Sequence, residues 1–161
     1  MDAPFNDSNE VYKELFNLSL DLLCVASVDG YFKIVNPAFE NTLGWTREEL
    51  VTKPFLDYVH PYDKASTMEE IAKLAHGIAA VHFENRYLCK DGSFKWLSWS
   101  SSPSKGGLLY ATAHDITQQK ELIEHLQNQT KLLEGNSERI RELEAEITRL
   151  RPPHGKSMDD R

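Results

Sequence analysis

The sequence lacks most of the features that assign a chain to a function class at once. Only two of its 161 residues are cysteines, Cys24 and Cys89. Two are too few for a disulfide framework, so we expect a protein of the reducing cytoplasm. No stretch approaches the roughly 18 apolar residues that a membrane span needs, and the N-terminal Met-Asp-Ala-Pro has no basic-then-apolar signal pattern. We therefore predict no membrane partner.

Positive charge and catalytic patterns are scarce as well. The 25 acidic residues outnumber the 18 basic ones, the net charge is −7, and no Lys/Arg cluster offers a nucleic-acid-binding surface. The sequence has no glycine-rich nucleotide loop and no nucleophile–base motif. His60, His76 and His82 lack the short spacing of metal ligands. We predict a protein without enzyme activity, a metal site or a nucleic-acid partner.

The N-terminal part of the chain predicts a short helix and then a β-hairpin. The helix covers residues 10–17, and Asp7 or Ser8 can cap it. Two β-rich runs follow, Leu22–Ser27 and Tyr31–Val35, around an Asp-Gly turn. Three apolar residues share one side of the helix: Val11, Leu15 and Leu18.

Polar side chains indicate where the next helices begin. Asn36 is the predicted cap of the second helix, and Thr46 and Glu49 form the capping box of the third. Asp63 is the predicted cap of a longer helix that ends near Gly77. For the buried side of that longer helix, the pattern indicates Met68, Ile71, Ala72, Leu74 and Ala75.

The C-terminal half predicts a second hairpin and one more strand. Two β-rich arms surround Asp91-Gly92 within residues 83–99, and a last strand covers residues 108–114. A loop over residues 91–93 sets the cross-strand pairs, which are Cys89–Lys95, Tyr87–Leu97 and Asn85–Trp99.

After Thr117 the hydrophobic period changes from two residues to three and a half, which indicates a dimerising coiled coil. In this heptad Leu126, Leu133, Ile140 and Ile147 take the a positions, and Gln129 and Asn136 take two of the d positions. Polar residues at d favour one register of a parallel dimer. Gly135 lowers helix propensity, but the a positions keep their phase across it, so we predict one continuous helix. The apolar interface positions are Leu122, Leu126, Leu133, Ile140, Leu143, Ile147 and Leu150.

Six short motifs follow one another along the chain: Val28-Asp29-Gly30, Val35-Asn36-Pro37-Ala38-Phe39, residues 43–50 (LGWTREEL), His60-Pro61-Tyr62-Asp63, residues 86–93 (RYLCKDGS) and Asp115-Ile116-Thr117. PAS domains carry such motifs in this order, and the chain resembles that family over residues 11–120. The likeness is strongest to the sensor modules of bacterial histidine kinases and diguanylate cyclases. Tyr62 departs from the usual His-Pro-Asp-Asp form, which we expect to alter one turn only.

The resemblance implies an α+β PAS fold, a five-stranded antiparallel sheet with short helices on one face, followed by a long coiled-coil helix. It also implies a small-molecule pocket against the inner face of the sheet. The side chains expected on that inner face suit a pocket for an apolar or aromatic ligand and a filled core equally well. The expected lining is Phe39, Trp45, Phe55, Leu74, Phe83, Tyr87, Leu97, Trp99, Ala111 and Ala113, with Cys24, Ala26, Asn85 and Leu109 on the same face.

The resemblance argues against two PAS cofactors on residue type. LOV photochemistry requires a cysteine where this chain has Lys53. The haem-binding branch takes an axial histidine from residues equivalent to 66–68, where this chain has none. The LOV flavin also requires amide side chains at positions that are here Tyr87, Leu97 and Ala113. We expect neither a LOV-type flavin nor a haem. The leading expectation is that the domain binds no cofactor.

These observations predict a sensory or regulatory module of signal transduction that acts as a homodimer. Asp115, Ile116 and Thr117 would relay a change in the sheet to the coiled coil. The expected partner is the output domain of a larger signalling protein, of the two-component type or a cyclase, or a separate kinase or cyclase. We expect flexible residues at 1–8, the PAS domain with its N-terminal helix at 9–117, the coiled coil at 118–150 and a disordered tail at 151–161.

Two alternatives stay open. The first is a ligand-free dimerisation scaffold that makes contact through Trp96, Tyr110 and the N-terminal helix. The second, weaker one is a redox sensor with a non-covalent flavin stacked on Trp45 and Trp99.

Overall fold

The computed structural model describes residues 8–150, which contain one five-stranded antiparallel sheet and five α-helices. The predicted disordered tail, and all of the predicted flexible N-terminus except Ser8, lie outside these residues. The strands are β1 (Leu22–Ser27), β2 (Phe32–Val35), β3 (Ala80–Leu88), β4 (Phe94–Pro103) and β5 (Leu108–Asp115). The helices are α1 (Ser8–Leu18), α2 (Pro37–Leu43), α3 (Arg47–Thr52), α4 (Lys64–Ala75) and α5 (Thr117–Leu150).

The strand order is β2-β1-β5-β4-β3, so the last strand lies in the middle of the sheet between the first and the fourth. Alternate residues of β1 and β5 face the core, as in an antiparallel sheet with one buried face. Cys24 and Ala26 of β1, for example, are buried beside Leu109 and Ala111 of β5. The predicted fold class is confirmed.

The pairing of β3 with β4 differs from the predicted one by two residues. Tyr87 opposes Lys95, and Asn85 opposes Leu97. The hairpin loop is centred on Asp91, whose carboxylate accepts hydrogen bonds from the backbone N–H and the hydroxyl of Ser93, at 2.9 and 2.6 Å. A shift of two residues leaves the alternation intact, so the predicted division into inner and outer faces holds.

All three residues predicted as caps stand at N-cap positions, but only Thr46 makes a side-chain cap. The Thr46 hydroxyl accepts from the Glu49 N–H at 3.3 Å, and the Glu49 carboxylate accepts from the Thr46 N–H at 2.9 Å. Asn36 instead turns its buried amide towards β1 and α1. The Asp63 carboxylate binds Arg86 of β3. In both cases a partner distant in the sequence replaces the local cap.

The buried side of α4 also differs from the predicted one. Thr67 and Leu74 are buried and Ile71 is half-buried, whereas three residues predicted to be buried are exposed: Met68, Ala72 and Ala75. The true buried stripe therefore begins with a threonine, which the apolar pattern could not select. On α1 the Val11 side chain is half-buried, while Leu15 and Leu18 are exposed.

Helix α5 runs without interruption through Gly135, as the phase of the heptads predicts. The division of the chain into two compact units falls between Lys120 and Glu121, so the first turn of α5 belongs to the same unit as the sheet. None of the helices within residues 8–150 combines the length and the apolar character of a membrane span.

Candidate functional site

A cavity of about 60 Å³ lies between α4 and the inner face of the sheet. Six of the ten predicted pocket residues line it: Phe55, Leu74, Phe83, Tyr87, Trp99 and Ala111. The cavity therefore occupies the place that the sequence predicts, over the middle of β3, β4 and β5.

The other four predicted residues do not line this cavity. Phe39, Leu97 and Ala113 are fully buried in the close-packed core, where Phe39 makes an edge-to-face contact with Phe32. Trp45 packs against Tyr58 and donates its indole N–H to the Leu88 carbonyl at 2.8 Å. These side chains support the lining rather than form it.

Six further residues line the cavity without having been predicted on the inner face: Phe32, Thr67, Glu70, Ile71, Ala80 and Ser101. Three of them, Thr67, Glu70 and Ile71, lie on α4. The i, i+4, i+7 spacing of Thr67, Ile71 and Leu74 was visible in the sequence, and it identifies this helix face once a threonine is allowed on it.

A chain of buried polar groups crosses the wall of the cavity. The Trp99 indole N–H donates to Asn85 Oδ1 at 2.9 Å, and Asn85 Nδ2 donates to the Thr67 hydroxyl at 3.1 Å. Thr67 in turn donates to the backbone carbonyl of Asp63 at 2.7 Å. These hydrogen bonds connect β4 through β3 to the residue that precedes α4.

Asp63 and Arg86 extend this chain to the outer face of the sheet. The Asp63 carboxylate accepts from Arg86 Nη2 at 2.6 Å and from Arg86 Nε at 2.8 Å. The hydrogen bonds from Arg86 lower the pKa of Asp63. The Arg86 guanidinium lies 5.0 Å from the ring centroid of Trp96, and Lys120 Nζ of α5 lies 5.1 Å from it, both within cation–π range.

Two ionisable groups of the cavity lining, Tyr87 and Cys24, favour their uncharged forms. Burial raises the pKa of Tyr87, so its hydroxyl stays protonated. Burial also raises the pKa of the Cys24 thiol to about 12, so it is not a reactive thiolate. Cys24 lies on β1 and Cys89 follows β3, on the far side of β5 and β4, and both thiols are free.

The cavity does not fit a flavin. Trp99 lines it and Trp45 does not, so the two rings cannot stack one ligand there. Its volume is also far below the roughly 300 Å³ at which pockets for drug-sized molecules begin. A surface cleft of about 570 Å³ is larger, but it is lined mostly by exposed residues of the segments 41–44 and 89–95. We derive no flavin chemistry.

The three residues between β5 and α5 form a compact hydrogen-bonded junction. The Asp115 carboxylate accepts from the Thr117 N–H at 3.0 Å and from the Thr117 hydroxyl at 2.6 Å, and Lys95 Nζ lies 3.0 Å from it. Thr117 Oγ1 accepts from the Trp96 N–H at 3.0 Å. The Ile116 N–H donates to the Trp96 carbonyl at 2.9 Å. The first turn of α5 is thereby fixed to β4.

Electrostatics favour a charged Asp115 at this junction. Desolvation acts to raise its pKa, but the hydrogen bonds from Thr117 and Lys95 outweigh that effect and leave the pKa below its usual value. A carboxylate that accepts several hydrogen bonds prefers its ionised form.

Helix α5 carries an apolar stripe that is exposed to solvent. All seven predicted interface residues are exposed: Leu122, Leu126, Leu133, Ile140, Leu143, Ile147 and Leu150. They recur on one side of the helix at heptad spacing, which is the pattern of a coiled-coil seam.

Residues 32–109 match a family model whose description is PAS fold. No curated protein matches the chain. A domain of the sensory box sensor histidine kinase/response regulator from Geobacter sulfurreducens is 19% identical, with a TM-score of 0.61, over 69% of this chain and 99% of that chain.

Two further solved structures are similar. The PAS domain of a protein from Colwellia psychrerythraea is 22% identical, with a TM-score of 0.61, over 70% of this chain and 99% of that one. The N-terminal domain of a diguanylate cyclase with PAS/PAC sensor from Marinobacter aquaeolei is 18% identical, with a TM-score of 0.54, over 62% and 98%. At these identities the likeness shows the fold.

Proposed function

This chain contains a PAS domain, and we propose on that premise that it is a sensory module that passes a change in its sheet to helix α5. The observation that carries the proposal is the junction. Thr117 of α5 and the preceding Ile116 both bond the backbone of Trp96 on β4, so a shift of β4 moves the start of the helix. The similar domains from a sensor histidine kinase and a diguanylate cyclase point to output domains of those kinds.

We propose further that two copies of α5 pair as a parallel coiled coil. The seven exposed apolar residues supply the seam, and Gln129 and Asn136 fall on it as polar layers that select one register. Pairing of two helices removes such a stripe from water, and this burial is the main source of the stability of a coiled coil. Sedimentation of the whole chain should therefore give a dimer, and replacing Ile140 with aspartate should give a monomer.

A chimera tests the relay without knowledge of the signal. The chain is fused at Leu150, in heptad phase, to the catalytic part of a dimeric histidine kinase. Replacing Ala111 with leucine perturbs the cavity, and we expect it to change the rate of autophosphorylation. With Asp115→Ala added, that change should disappear, because the carboxylate that holds the Thr117 N–H and hydroxyl, and so orients that hydroxyl towards the Trp96 N–H, is gone.

Asp91 provides a matched control. Its carboxylate accepts from the N–H and the hydroxyl of Ser93 in the same geometry as Asp115 accepts from Thr117, but in the hairpin loop. Asp91→Ala should therefore leave the response to Ala111→Leu intact. An equal response with and without Asp115 would refute the relay, as would no response to Ala111→Leu in any background.

The small volume of the cavity favours a second candidate, a ligand-free scaffold. In that case the contact surface is the outer sheet face, where Tyr110 is exposed and Trp96 is half-buried. Native mass spectrometry of protein purified from cells separates the candidates. A stoichiometric bound molecule supports the sensor, and its consistent absence supports the scaffold.

A further inference from the structure

Tyr87 brings a polar group to the wall of the cavity. Tyr87 is 3% exposed and lines the cavity. Its hydroxyl forms no hydrogen bond with any residue of the segment 8–150. Because burial raises its pKa, the hydroxyl is neutral and keeps one hydrogen to donate. No fully buried side-chain oxygen or nitrogen among residues 8–150 lacks a partner, so this hydroxyl is open to the cavity, where it can donate to a bound molecule.

Asn85 offers a second donor on the same strand face, two residues away. It is 1% exposed and lines the cavity. An indole N–H can only donate, so the atom that faces Trp99 must be the Asn85 oxygen, and the amide nitrogen faces Thr67. One of its two N–H groups is used by Thr67. Among the residues the structure describes, the other has no acceptor.

Size and charge restrict what can satisfy these two donors. A volume of about 60 Å³ corresponds to roughly four to six water-sized atoms. Glu70 is the only charged side chain in the lining, and it is paired with Lys73 at 3.0 Å. An anion would face that carboxylate with no cation in the lining, and an ammonium group has no acceptor for Tyr87 and Asn85.

We propose that the cavity binds an uncharged molecule of about four to six non-hydrogen atoms, whose carbonyl or hydroxyl oxygen accepts hydrogen bonds from Tyr87 and Asn85. Its apolar part packs against Phe83, Leu74 and the ring of Trp99. The inference gives the proposed sensory function its class of ligand and rests on that function for its meaning. The binding itself needs neither dimer nor output domain.

The probe is 2-butanone, titrated into the whole chain and followed by NMR at the Trp99 indole N–H, which bonds Asn85 directly. The matched alkene 2-methyl-1-butene has nearly the same shape but no oxygen. We expect a saturable shift with the ketone and at least tenfold weaker binding of the alkene, because each net hydrogen bond is worth about fivefold or more in affinity. Ala111→Leu, which fills the cavity, should abolish the shift.

Two tyrosine variants separate binding from stability. Tyr87→Phe should weaken 2-butanone binding about fivefold with little change in the urea midpoint, since its hydroxyl has no protein partner. Tyr58→Phe is the control. Its hydroxyl is buried and donates to the Glu49 carbonyl at 2.7 Å, but it does not line the cavity. It should lower the urea midpoint and leave the affinity for the ketone unchanged.

Three outcomes would overturn the inference. They are equal binding of ketone and alkene, an unchanged affinity in Tyr87→Phe, and a cavity in which only water is detected at saturating ketone. The outcome is independent of the relay test. Ketone binding without an Asp115-dependent response in the chimera refutes the relay alone, and the reverse combination refutes this ligand class alone.

Discussion

Replacing Asp63 with asparagine measures how firmly the start of α4 is held to strand β3. The carboxylate accepts three hydrogen bonds from Arg86, from the backbone N–H and Nε at 2.8 Å and from Nη2 at 2.6 Å. The side chains are 14% and 27% exposed. Exposed pairs contribute about 0–1 kcal/mol, and breaking a buried pair costs about 3–5 kcal/mol. For this intermediate burial we expect a loss of about 2 kcal/mol in the free energy of unfolding.

The effect should depend on pH in a defined direction. Hydrogen bonds from Arg86 lower the pKa of Asp63 in the folded protein below its usual value. A depressed folded pKa means that the stabilisation is complete above about pH 4 and is lost as the pH falls through the folded pKa. The stability difference between wild type and Asp63→Asn should therefore be constant near neutral pH and shrink below about pH 4.

Urea unfolding at pH 7 and at pH 3 provides the assay, with Lys33→Met as the control. Lys33 and Asp29 form an ion pair at 3.0 Å, but their side chains are 44% and 55% exposed, so its loss should not change the midpoint measurably. The reasoning is wrong if Asp63→Asn unfolds at the same urea concentration as Lys33→Met. It is also wrong if the cost of Asp63→Asn is the same at both pH values.

Two further substitutions have expected outcomes. Asn36→Ala should cost about 3 kcal/mol, because the buried amide bonds the Leu23 N–H and the carbonyls of Phe16 and Asp21, at 2.8 to 3.1 Å; a loss in urea unfolding no greater than that of the exposed Asn41→Ala would contradict this. Gly135→Ala should stabilise α5 by about 1 kcal/mol per chain, since nothing lies within 4 Å of the added methyl group. The thermal midpoint of α5, followed by circular dichroism, should therefore rise. A lower midpoint in that variant would mean that the helix does not run straight through position 135 in solution.

The order of the elements was predictable because it follows from local patterns. Period-two runs gave the strands, the Thr46–Glu49 spacing gave a capping box, and heptads gave α5. Gly44 ends α2 at a positive φ of 79°, a conformation for which glycine is the default residue. All of these signals act within a few residues, so one sequence is enough to read them.

The parts that failed depend on partners far away in the chain. Asn36 and Asp63 are both good helix caps, but strands supply them with stronger hydrogen-bond partners, and no local rule identifies such partners. The register of β3 and β4 depends on whether the loop is centred on Asp91 or on Gly92. The loop is centred on Asp91, whose carboxylate binds Ser93, and the sequence pattern fits both centres.

The predicted cavity was incomplete for the same reason. Half of the omitted lining comes from α4, whose buried stripe contains Thr67 in place of an apolar residue. The hydroxyl is acceptable there only because Asn85 and the Asp63 carbonyl satisfy it, and the sequence does not show that arrangement. Polar groups in cores are recognised from their partners, not from their hydropathy.

Strand β5 lies at the centre of the sheet, where it contacts both halves. It is hydrogen-bonded along its length to β1 on one side and to β4 on the other, while the edges of the sheet are β2 and β3. A displacement of β1, in the N-terminal hairpin, and a displacement of β4, in the cavity wall, would therefore both act on β5. Two stimuli of opposite sense would cancel there, and two of the same sense would reinforce each other.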